Sequence, residues 1–416
     1  MVLKLVFWGA VAELGWVYAG YPLVAAVAAH RNGPTIPGTA EVPSVTVAVA
    51  VHQGAGQIEE RIRDVFAQES SGVRLHEVLV GSDGSTDGTA AIVARLARDE
   101  PRLRVLPLPR SGQTPTQEAL FAAATGDIVV LTDAETRFAP GCLAALASAF
   151  TDPRIGCATG KLVWFNVEGT AASTSEGLYW RYELFVRELE SRAGWLTAVT
   201  GAIVAIRRSA FKPVPARSSL DELLPVYVRE QGGMVVFVPD AVAMDRPISS
   251  ASEQFRTRAR ISTRGIAGTI SVLRHSTIRR QRGPVLAMVS HKLMRWATPW
   301  AVLAAALAGL GLARKGPAYA AAPTGLVALA ALGAIAEVAI RRGRQVPRPV
   351  AFARSFGVVN LAFALGWINV LRGRRYEAWT PAGNDEARAP TGSAETAGVE
   401  VPSAPTAVQP LHADRP

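Results

Sequence analysis

The sequence predicts an α/β protein with a doubly wound mixed sheet, set between membrane-spanning helices near its two ends. Two observations lead to this fold class. Short runs of β-branched and apolar residues alternate with helical patterns from residue 45 onward. The 416-residue chain is 49% apolar with a mean hydropathy of +0.19, and its longest apolar runs lie in the first 30 residues and beyond residue 284.

Residues 1–30 are predicted to form a transmembrane helix, since Lys4 and Glu13 are their only charged residues before His30. A signal peptide is the alternative. Glu13 interrupts the apolar run, and no small-residue cleavage site precedes the polar segment that follows, so the retained helix is favoured. Residues 31–44 are rich in proline and glycine and are predicted to be a linker.

An α/β domain is predicted at residues 45–250. Its first strand, Val45–Val51, is a run of valine, threonine and alanine, which is typical of a strand buried on both faces. In such sheets the chemistry gathers in loops at the carboxyl ends of the strands. Further strands are predicted at Glu77–Val80, Leu103–Leu106, Asp127–Leu131 and Met234–Val238, and helices at Gln57–Gln68, Thr89–Arg98, Thr116–Ala124 and Glu176–Ser191.

The remainder of the chain has the composition of a membrane region. Residues 251–283 carry arginines among apolar positions, which predicts interfacial amphipathic helices. Residues 284–372 are predicted to form a transmembrane region of two or three spans, and residues 383–416 have the composition of a disordered tail. The apolar runs behind these spans are 285–313, 318–340 and 351–371.

Basic residues exceed acidic ones, giving a net charge of +10. This balance favours nucleic acid, anionic lipid or an anionic substrate as a partner. No nucleic-acid-binding module is present and the arginines do not interleave with aromatic residues, so no nucleic acid is expected. Many arginines instead flank apolar runs, as at 341–344 and 372–375, which indicates contact with membrane lipids.

The segment Ser82–Thr89 reads Ser-Asp-Gly-Ser-Thr-Asp-Gly-Thr and lies between a predicted strand and a predicted helix. Asp83 and Asp87 stand four positions apart, each followed by glycine, which predicts a tight turn exposed at a strand end. The alternative is an ordinary strand–turn–helix connection in which Asp87 caps the helix.

A second acidic segment follows the strand that ends near Leu131. Asp133 and Glu135 stand two positions apart, so two carboxylates can meet one hard cation while the strand holds them still. A divalent ion there would neutralise charge on a diphosphate leaving group. The alternative is a solvated acidic turn.

A third acidic pair, Asp221 and Glu222, lies among leucines. Burial of such a pair costs free energy, which indicates a functional role. A carboxylate here could accept a proton from an acceptor hydroxyl. The alternative is an acid pair at a helix start. Gly54 and Gly56 match part of a dinucleotide-binding fingerprint, but Glu59 replaces the third glycine, so an oxidoreductase is disfavoured.

Taken in order, these segments resemble the inverting family 2 glycosyltransferases, and more narrowly their membrane-embedded bacterial branch, which makes exopolysaccharide and cell-surface glycans. The resemblance covers roughly residues 10–380; the ordered set is specific, although no single motif is. Further phrases that fit are Gly20–Pro22, Glu176–Glu183, Thr200–Ala202, Ser290–Leu293 and Arg295–Trp296.

The resemblance implies a GT-A fold and a single in-line displacement, with inversion, at an anomeric carbon. The implied donor is a nucleoside-diphosphate sugar, with a UDP-sugar favoured, and the implied cofactor is Mg²⁺ or Mn²⁺. Asp221 stands at the catalytic-base position, and Asp133 and Glu135 at the metal motif. The implied nucleotide-binding residues are Val51, Gln53, Asp83, Ser85, Gln113 and Asp133; the acceptor-binding residues are Thr200, Gly201, Ala202 and Glu222; and Arg260 faces the diphosphate.

One departure from the family pattern bears on processivity. Processive members carry a Gln-x-x-Arg-Trp motif at the membrane interface, whose tryptophan stacks on the acceptor sugar. Here Thr257 and Ile261 replace the Gln and Trp, while Arg260 remains, which argues against processive synthesis. The other departures lie at Gln53 and Gly54 in place of Asn-Glu, Gln113 in place of Lys, Glu135 in place of Asp, and Leu220 in place of an acid.

The leading interpretation is a non-processive transferase in the bacterial inner (plasma) membrane, with a cytoplasmic catalytic domain and a lipid-linked or growing glycan as acceptor. Partner subunits of a polysaccharide synthesis complex are a further expectation. The alternatives are a processive synthase with a degenerate interface motif and a catalytically silent scaffold. Three C-terminal spans would leave 372–375 outside, so 285–313 is expected to be interfacial or re-entrant.

Overall fold

The computed structural model describes most of one compact unit, Met1–Trp379. The expected tail and positions 33–40 of the expected linker lie outside the described residues. The described ranges are 1–32, 41–164, 171–215, 218–245 and 251–374.

The strands of the α/β domain form one mixed sheet. They are β1 (Val45–Val51), β2 (Leu75–Asp83), β3 (Leu103–Leu108), β4 (Ile128–Asp133), β5 (Arg137–Phe138), β6 (Ile155–Trp164), β7 (Val204–Arg207) and β8 (Met234–Asp245). Their order across the sheet is β3-β2-β1-β4-β7-β6-β8-β5. The first four are parallel, and β7 runs antiparallel between β4 and β6. The doubly wound mixed sheet expected from the sequence is confirmed.

Helices cover both faces of this sheet and continue into the apolar ends of the chain. They are α1 (Val2–Gly15), α2 (Tyr21–Asn32), α3 (Ile58–Ala67), α4 (Thr89–Leu96), α5 (Gln113–Ala123), α6 (Cys142–Ala149), α7 (Ala171–Arg192), α8 (Leu220–Glu230), α9 (Ala251–His275), α10 (Arg282–Ala287), α11 (Arg295–Leu312), α12 (Pro317–Arg341) and α13 (Arg348–Leu371). Two π-helical turns, Trp16–Gly20 and Met288–Met294, join α1 to α2 and α10 to α11.

The sequence of β1 explains its central position. Successive side chains of a strand point to opposite faces of the sheet. Val47 and Val49 pack with α3, α4 and α6 on one face, and Ala48 and Ala50 pack with α5 and α8 on the other. All seven β1 residues are buried, as the sequence predicts.

Several elements extend further than their patterns predict. β2 continues to Asp83 because β1 and β3 pair with its polar end, and β8 continues to Asp245 because β6 and β5 pair with it. α5 begins at Gln113, directly after Gly112, whose φ of 99° turns the chain. Because β1, β2 and β4 are parallel, they end at one edge of the sheet, at Val51, Asp83 and Asp133.

Four helical segments are long and apolar enough to cross a membrane: Val2–Asn32, Arg282–Lys315, Pro317–Arg341 and Arg348–Leu371. α1 packs on α11, and α12 joins them through small and aromatic residues. α13 packs along α9, the arginine-bearing helix that is predicted from the sequence to lie at the membrane surface.

Candidate active site

Side-chain hydrogen bonds join the loops that follow β1 and β2. Gln53 has a φ of 54°, a left-handed conformation uncommon outside glycine. Its side-chain carbonyl accepts from the backbone N–H of Thr86 (2.9 Å) and of Asp87 (3.2 Å). The backbone N–H of Gln53 donates to Ser85 Oγ (3.1 Å). Two of the residues implied in nucleotide binding, Gln53 and Ser85, therefore touch each other just beyond Val51.

Asp87 has a structural role in the same loops. Its carboxylate accepts from the backbone N–H of Ala55 (2.9 Å) and of Thr89 (3.1 Å). Gly88 occupies the N-cap position of α4. Asp87 therefore lies one residue before the N-cap position that the alternative interpretation gave it. The observed contacts account for this residue without a ligand.

Asp83, the last residue of β2, has a fully buried carboxylate. The carboxylate pairs with the Arg110 guanidinium and accepts from the backbone N–H of Ser111 (2.6 Å) and of Gly112 (3.1 Å). Its negative charge is therefore matched by protein donors, which tie β2 to the loop before α5.

Asp133, the last residue of β4, is half-buried and lies in a different environment. Gln113 Nε2 lies 3.2 Å from Asp133 Oδ1. Burial, followed by repulsion from Glu135, Asp245 and Asp221, raises the pKa of Asp133 to about 8. These four residues form an acidic cluster, so the sequence-predicted metal-motif acids and base lie in one place.

Asp245 is a member of the acidic cluster that the sequence analysis missed. It ends β8, and together with burial it raises the pKa of Glu135. Asp245 directly follows the run Ala241–Met244, just as Asp133 follows the apolar strand β4. The signal was present, but the predicted strand stopped at Val238.

Arg61 supplies positive charge beneath the acidic cluster. It is fully buried on α3, pairs with Asp64, donates to Thr132 Oγ1 (2.8 Å) and lies 4.0 Å above the Phe138 ring. Burial lowers the pKa of Arg61 to about 10, so the group stays charged at neutral pH and lowers the pKa of Asp133. Its place on an amphipathic helix gave no sequence signal.

The turn Thr200–Ile203 lies between β4 and Asp221. It is closed by a hydrogen bond from the Ile203 N–H to the Thr200 carbonyl (2.9 Å), and Thr132 Oγ1 donates to the Ala202 carbonyl (2.8 Å). A Cβ on Gly201 would come within 3.2 Å of Asp221 Oδ2. The residues implied in acceptor binding therefore border the residue implied as base.

Asp221 and Glu222 begin α8 and face different neighbours. The Ser219 hydroxyl donates to the Asp221 carboxylate. Burial and repulsion from Asp221 raise the pKa of Glu222 to about 7, against the opposing charges of Arg264 and Lys292. Glu222 also lies against α9, where a Cβ on Gly268 would come within 2.9 Å of its Oε2.

Arg260 lies on α9, half-buried, one turn before Arg264. Ile261, at the position of the family's tryptophan, is 58% exposed on the outer surface of the same helix. Thr257, at the position of the family's glutamine, is half-buried.

The residues of the acidic cluster fit a divalent ion. Within the described ranges, no group of three His, Cys, Asp or Glu side chains is arranged to hold a metal by itself. Asp133 and Glu135 nevertheless offer hard oxygen donors, and a cation would relieve their repulsion with Asp221 and Asp245. Mg²⁺ is commonly held by one or two carboxylates, with phosphate and water oxygens completing its shell.

Comparison with known proteins identifies the domain. Residues 46–214 match the family model for glycosyl transferase family 2. The chain carries a family 2 glycosyl transferase domain. The matched segment begins within β1 and ends before α8, so Asp221 lies beyond it.

Curated relatives resemble the family 2 domain at modest identity. An N-acetylglucosaminyltransferase of Bradyrhizobium diazoefficiens is 27% identical over 218 residues, which cover 49% of this chain and 44% of that protein. One of Sinorhizobium fredii is 25% identical over 281 residues, covering 63% and 68%. The chain thus spans about half the length of most of the curated relatives that it matches.

A solved structure shares the fold of the family 2 domain and of much of the remaining chain. It is a mannosyltransferase from Pyrobaculum calidifontis, in complex with GDP-Man and Mn²⁺, at a TM-score of 0.66 and 23% identity. The similarity covers 90% of this chain and 100% of that one. The GT-A fold expected from the sequence is confirmed.

Proposed function

We propose that this chain is a metal-dependent, inverting glycosyltransferase that moves one sugar at a time from a nucleoside-diphosphate sugar to a lipid-linked or growing glycan. The observation that carries the proposal is the acidic cluster beside the turn Thr200–Ile203. Burial and repulsion within the cluster raise the pKa values of Asp133 and Glu135, which a bound cation would lower, and Asp221 lies against Gly201. This arrangement suits a cation and a diphosphate on one side and an acceptor hydroxyl on the other.

The relatives' names guide the choice of donor. Several rhizobial relatives are N-acetylglucosaminyltransferases, so UDP-N-acetylglucosamine is the first donor to test. The mannosyltransferase that shares the fold was solved with GDP-Man, so GDP-mannose is the second. The proposed base-binding region is the pair of loops around Val51, Gln53, Asp83 and Ser85, with Gln113 beside Asp133.

In the proposed reaction, the acceptor hydroxyl oxygen forms a bond to the anomeric carbon while the bond from that carbon to the diphosphate oxygen breaks. The nucleoside diphosphate leaves with the electron pair, and the Asp221 carboxylate accepts the hydroxyl proton. Asp133 and Glu135 would hold Mg²⁺ or Mn²⁺, which would supply charge neutralisation at the diphosphate. The turn at Thr200 would place the hydroxyl, and Arg260 would face the diphosphate.

Single addition is favoured by α9. Ile261 is exposed and Thr257 cannot supply the amide of the family's motif, so the position at which a processive enzyme stacks its growing chain on tryptophan holds an aliphatic side chain here.

Nucleotide release by the purified, detergent-solubilised protein tests the proposal. It is measured with Mn²⁺ or Mg²⁺, a panel of UDP- and GDP-sugars, and a lipid extract as acceptor source. We expect metal-dependent release that falls at least about a hundredfold in Asp221→Asn, with Asp99→Asn, an exposed acid elsewhere, as the matched control. Metal-dependent donor binding without turnover in any arm would instead favour a nucleotide-binding scaffold.

We also propose that the catalytic domain is cytoplasmic and that α13 lies in the plane of the membrane surface. α1 and α11 are antiparallel: Trp16 bonds Ser290 at the end nearer the sheet domain (3.0 Å), and Phe7 packs with Leu312 and Tyr319 at the far end. α12 begins at this far end, so its last turns return to the near end.

Both halves of α13 contact near-end residues. Trp367 Nε1 donates to the Trp296 carbonyl at the start of α11 (3.1 Å), and Arg354 pairs with Glu337 late in α12 (2.6 Å). A helix that crossed the membrane would have one half at the far end. Three crossings then put the arginines of 341–348 and 372–374 on the catalytic-domain side, which the positive-inside tendency makes cytoplasmic. The in-plane segment proposed is thus α13 rather than 285–313.

Single cysteines test this topology, since the native Cys142 and Cys157 are buried. We expect a membrane-impermeant maleimide to label Lys315→Cys from the periplasmic side, and Gln345→Cys and Arg374→Cys only from the cytoplasmic side. Periplasmic labelling of Arg374→Cys would mean four crossings and would overturn the in-plane assignment.

A further inference from the structure

A buried polar cluster joins the catalytic domain to the membrane helices. Glu183 and Glu190 on α7 face His291 in the π-helical turn Met288–Met294: His291 Nδ1 lies 2.8 Å from Glu190 Oε1, and His291 Nε2 lies 3.2 Å from Glu183 Oε2. Tyr21 on α2 donates to Glu190 Oε1 (2.6 Å), and Arg295 donates to Glu183. All five side chains are buried.

Glu183 is the centre of this cluster. Burial alone would raise its pKa, but Arg295, His291 and Arg187 outweigh burial and hold the pKa of Glu183 well below its ordinary range. Its Oε2 faces the membrane-helix residues His291 and Arg295, and its Oε1 accepts from Arg187 Nε (2.8 Å). The carboxylate therefore has one oxygen toward the membrane helices and one toward the sheet domain.

Arg187 extends the connection to the candidate active site. While its Nε bonds Glu183, another guanidinium nitrogen donates to Thr200 Oγ1 (2.7 Å). The Thr200 N–H donates to Thr159 Oγ1 (3.0 Å). Thr200 is thus held through both its side chain and its backbone, one residue before the glycine that lies against Asp221.

We propose that Arg187, oriented by Glu183, is a positioning residue that fixes the turn Thr200–Ile203 so that an acceptor hydroxyl meets Asp221. The inference rests on the proposed function and deepens it. Through Arg295 and His291, the same contacts set the turn relative to α11, and hence relative to an acceptor that approaches along the membrane.

The planar fork of arginine matters for this role. Two different nitrogens of Arg187 bond Glu183 and Thr200 at once, and the side chain lies 5.5 Å over the Trp180 ring. A lysine keeps the charge but presents one compact ammonium, which cannot reproduce the fork. Because lysine keeps a positive charge beside Glu183, the substitution does not leave that buried carboxylate unpaired, which limits the cost to folding.

The test compares transfer to acceptor with donor hydrolysis, in which water replaces the acceptor. In Arg187→Lys we expect the ratio of transfer to hydrolysis to fall at least about tenfold, mainly through a higher KM for acceptor. Thr200→Val should lower this ratio similarly, whereas Thr200→Ser should retain most of the transfer. The double variant Arg187→Lys/Thr200→Val should have a ratio no lower than that of either single variant. Arg192→Lys, an exposed arginine on the same helix, is the matched control.

Equal losses of transfer and hydrolysis in Arg187→Lys, or additive losses in the double variant, would overturn the positioning role. So would unchanged kinetics in Arg187→Lys. The proposed function fails separately, if wild type neither transfers nor hydrolyses any donor, and the inference then falls with it. Thermal unfolding of each variant identifies any that lose activity by unfolding, and Thr200→Val then carries the test.

Discussion

Asp83 and Asp133 end the parallel strands β2 and β4, which lie on either side of β1 and finish at the same edge of the sheet, yet their surroundings are opposite. Asp83 is fully buried and is matched by Arg110 and by the backbone N–H groups of Ser111 and Gly112. Asp133 has Gln113 as its hydrogen-bonding partner and is repelled by Glu135, Asp221 and Asp245. The first aspartate organises the loop before α5, and the second belongs to a cluster of acids that disfavour one another's ionisation.

The comparison separates acids that stabilise the fold from acids that are set up to bind. A buried carboxylate with matched donors strengthens the native state, whereas mutually repelling carboxylates weaken it. Substitution should therefore cost stability at Asp83 and activity at Asp133.

The largest expected effect is at Asp133. In Asp133→Asn we expect nucleotide release to fall at least about a hundredfold, because a proposed ligand of the divalent ion is lost. The unfolding temperature should hold or rise, because the substitution removes a carboxyl group whose ionisation the folded state disfavours. Asp127→Asn, at the other end of β4, is the control and should keep its activity. More than a tenth of wild-type release in Asp133→Asn would contradict the assignment.

Asp83→Asn should lower the stability that Asp133→Asn is expected to keep. The amide faces backbone donors and Arg110 with one acceptor fewer, so we expect a loss of about 2–3 kcal/mol in unfolding free energy. Denaturant or thermal unfolding followed by tryptophan fluorescence measures it. An unchanged stability would mean that the donors around Asp83 do not stabilise the fold.

Two glutamates of α8 show the same contrast between a disfavoured and a stabilised carboxylate, and they predict how the stability of the protein depends on pH. Burial and Asp221 raise the pKa of Glu222 from 4.5 to about 7, so its contribution to stability is full below pH 4.5 and is lost as the pH rises to 7. Glu222→Gln should therefore stabilise the protein by about 3 kcal/mol at pH 8 and little at pH 4.5.

Glu230, at the other end of α8, is the matched comparison. Burial opposes its ionisation, but hydrogen bonds from Ser276 and Thr277 outweigh burial and hold the pKa of Glu230 below its ordinary value. Its stabilisation is present above pH 4.5 and is lost as the pH falls through the lowered value. Glu230→Gln should thus lower the unfolding temperature at pH 8; the same sign in both variants would contradict the contrast.

The smallest effect tests the geometry around Asp221. A Cβ at Gly201 would come within 3.2 Å of Asp221 Oδ2 and would displace the carboxylate by a few tenths of an ångström. In Gly201→Ala we expect transfer to fall about tenfold, or about 1.4 kcal/mol, with little change in unfolding temperature. Gly325→Ala, where nothing lies within 4 Å, is the control. Equal transfer in both variants would separate the turn from the chemistry.

The local sequence pattern determined the fold class. A strand buried on both faces requires the β-branched and apolar residues of β1, and a membrane-spanning helix requires a long apolar run. The pattern also indicated the three acidic segments at strand and helix ends. The sequence analysis missed Asp245 because it ended the strand at Val238, and pattern could not reveal Arg61, which reaches the acidic cluster only through helix packing.

What the tertiary structure alone decided is how each acid is compensated. Asp83 and Asp133 look alike in sequence, each closing a strand of the same sheet. Arg110 lies 27 residues from Asp83 in the chain, and Asp221 lies far beyond Asp133. Sequence spacing therefore does not reveal which acid is paired with a cation and which is repelled by other acids. Charge interactions act through space, and only the folded chain sets those distances.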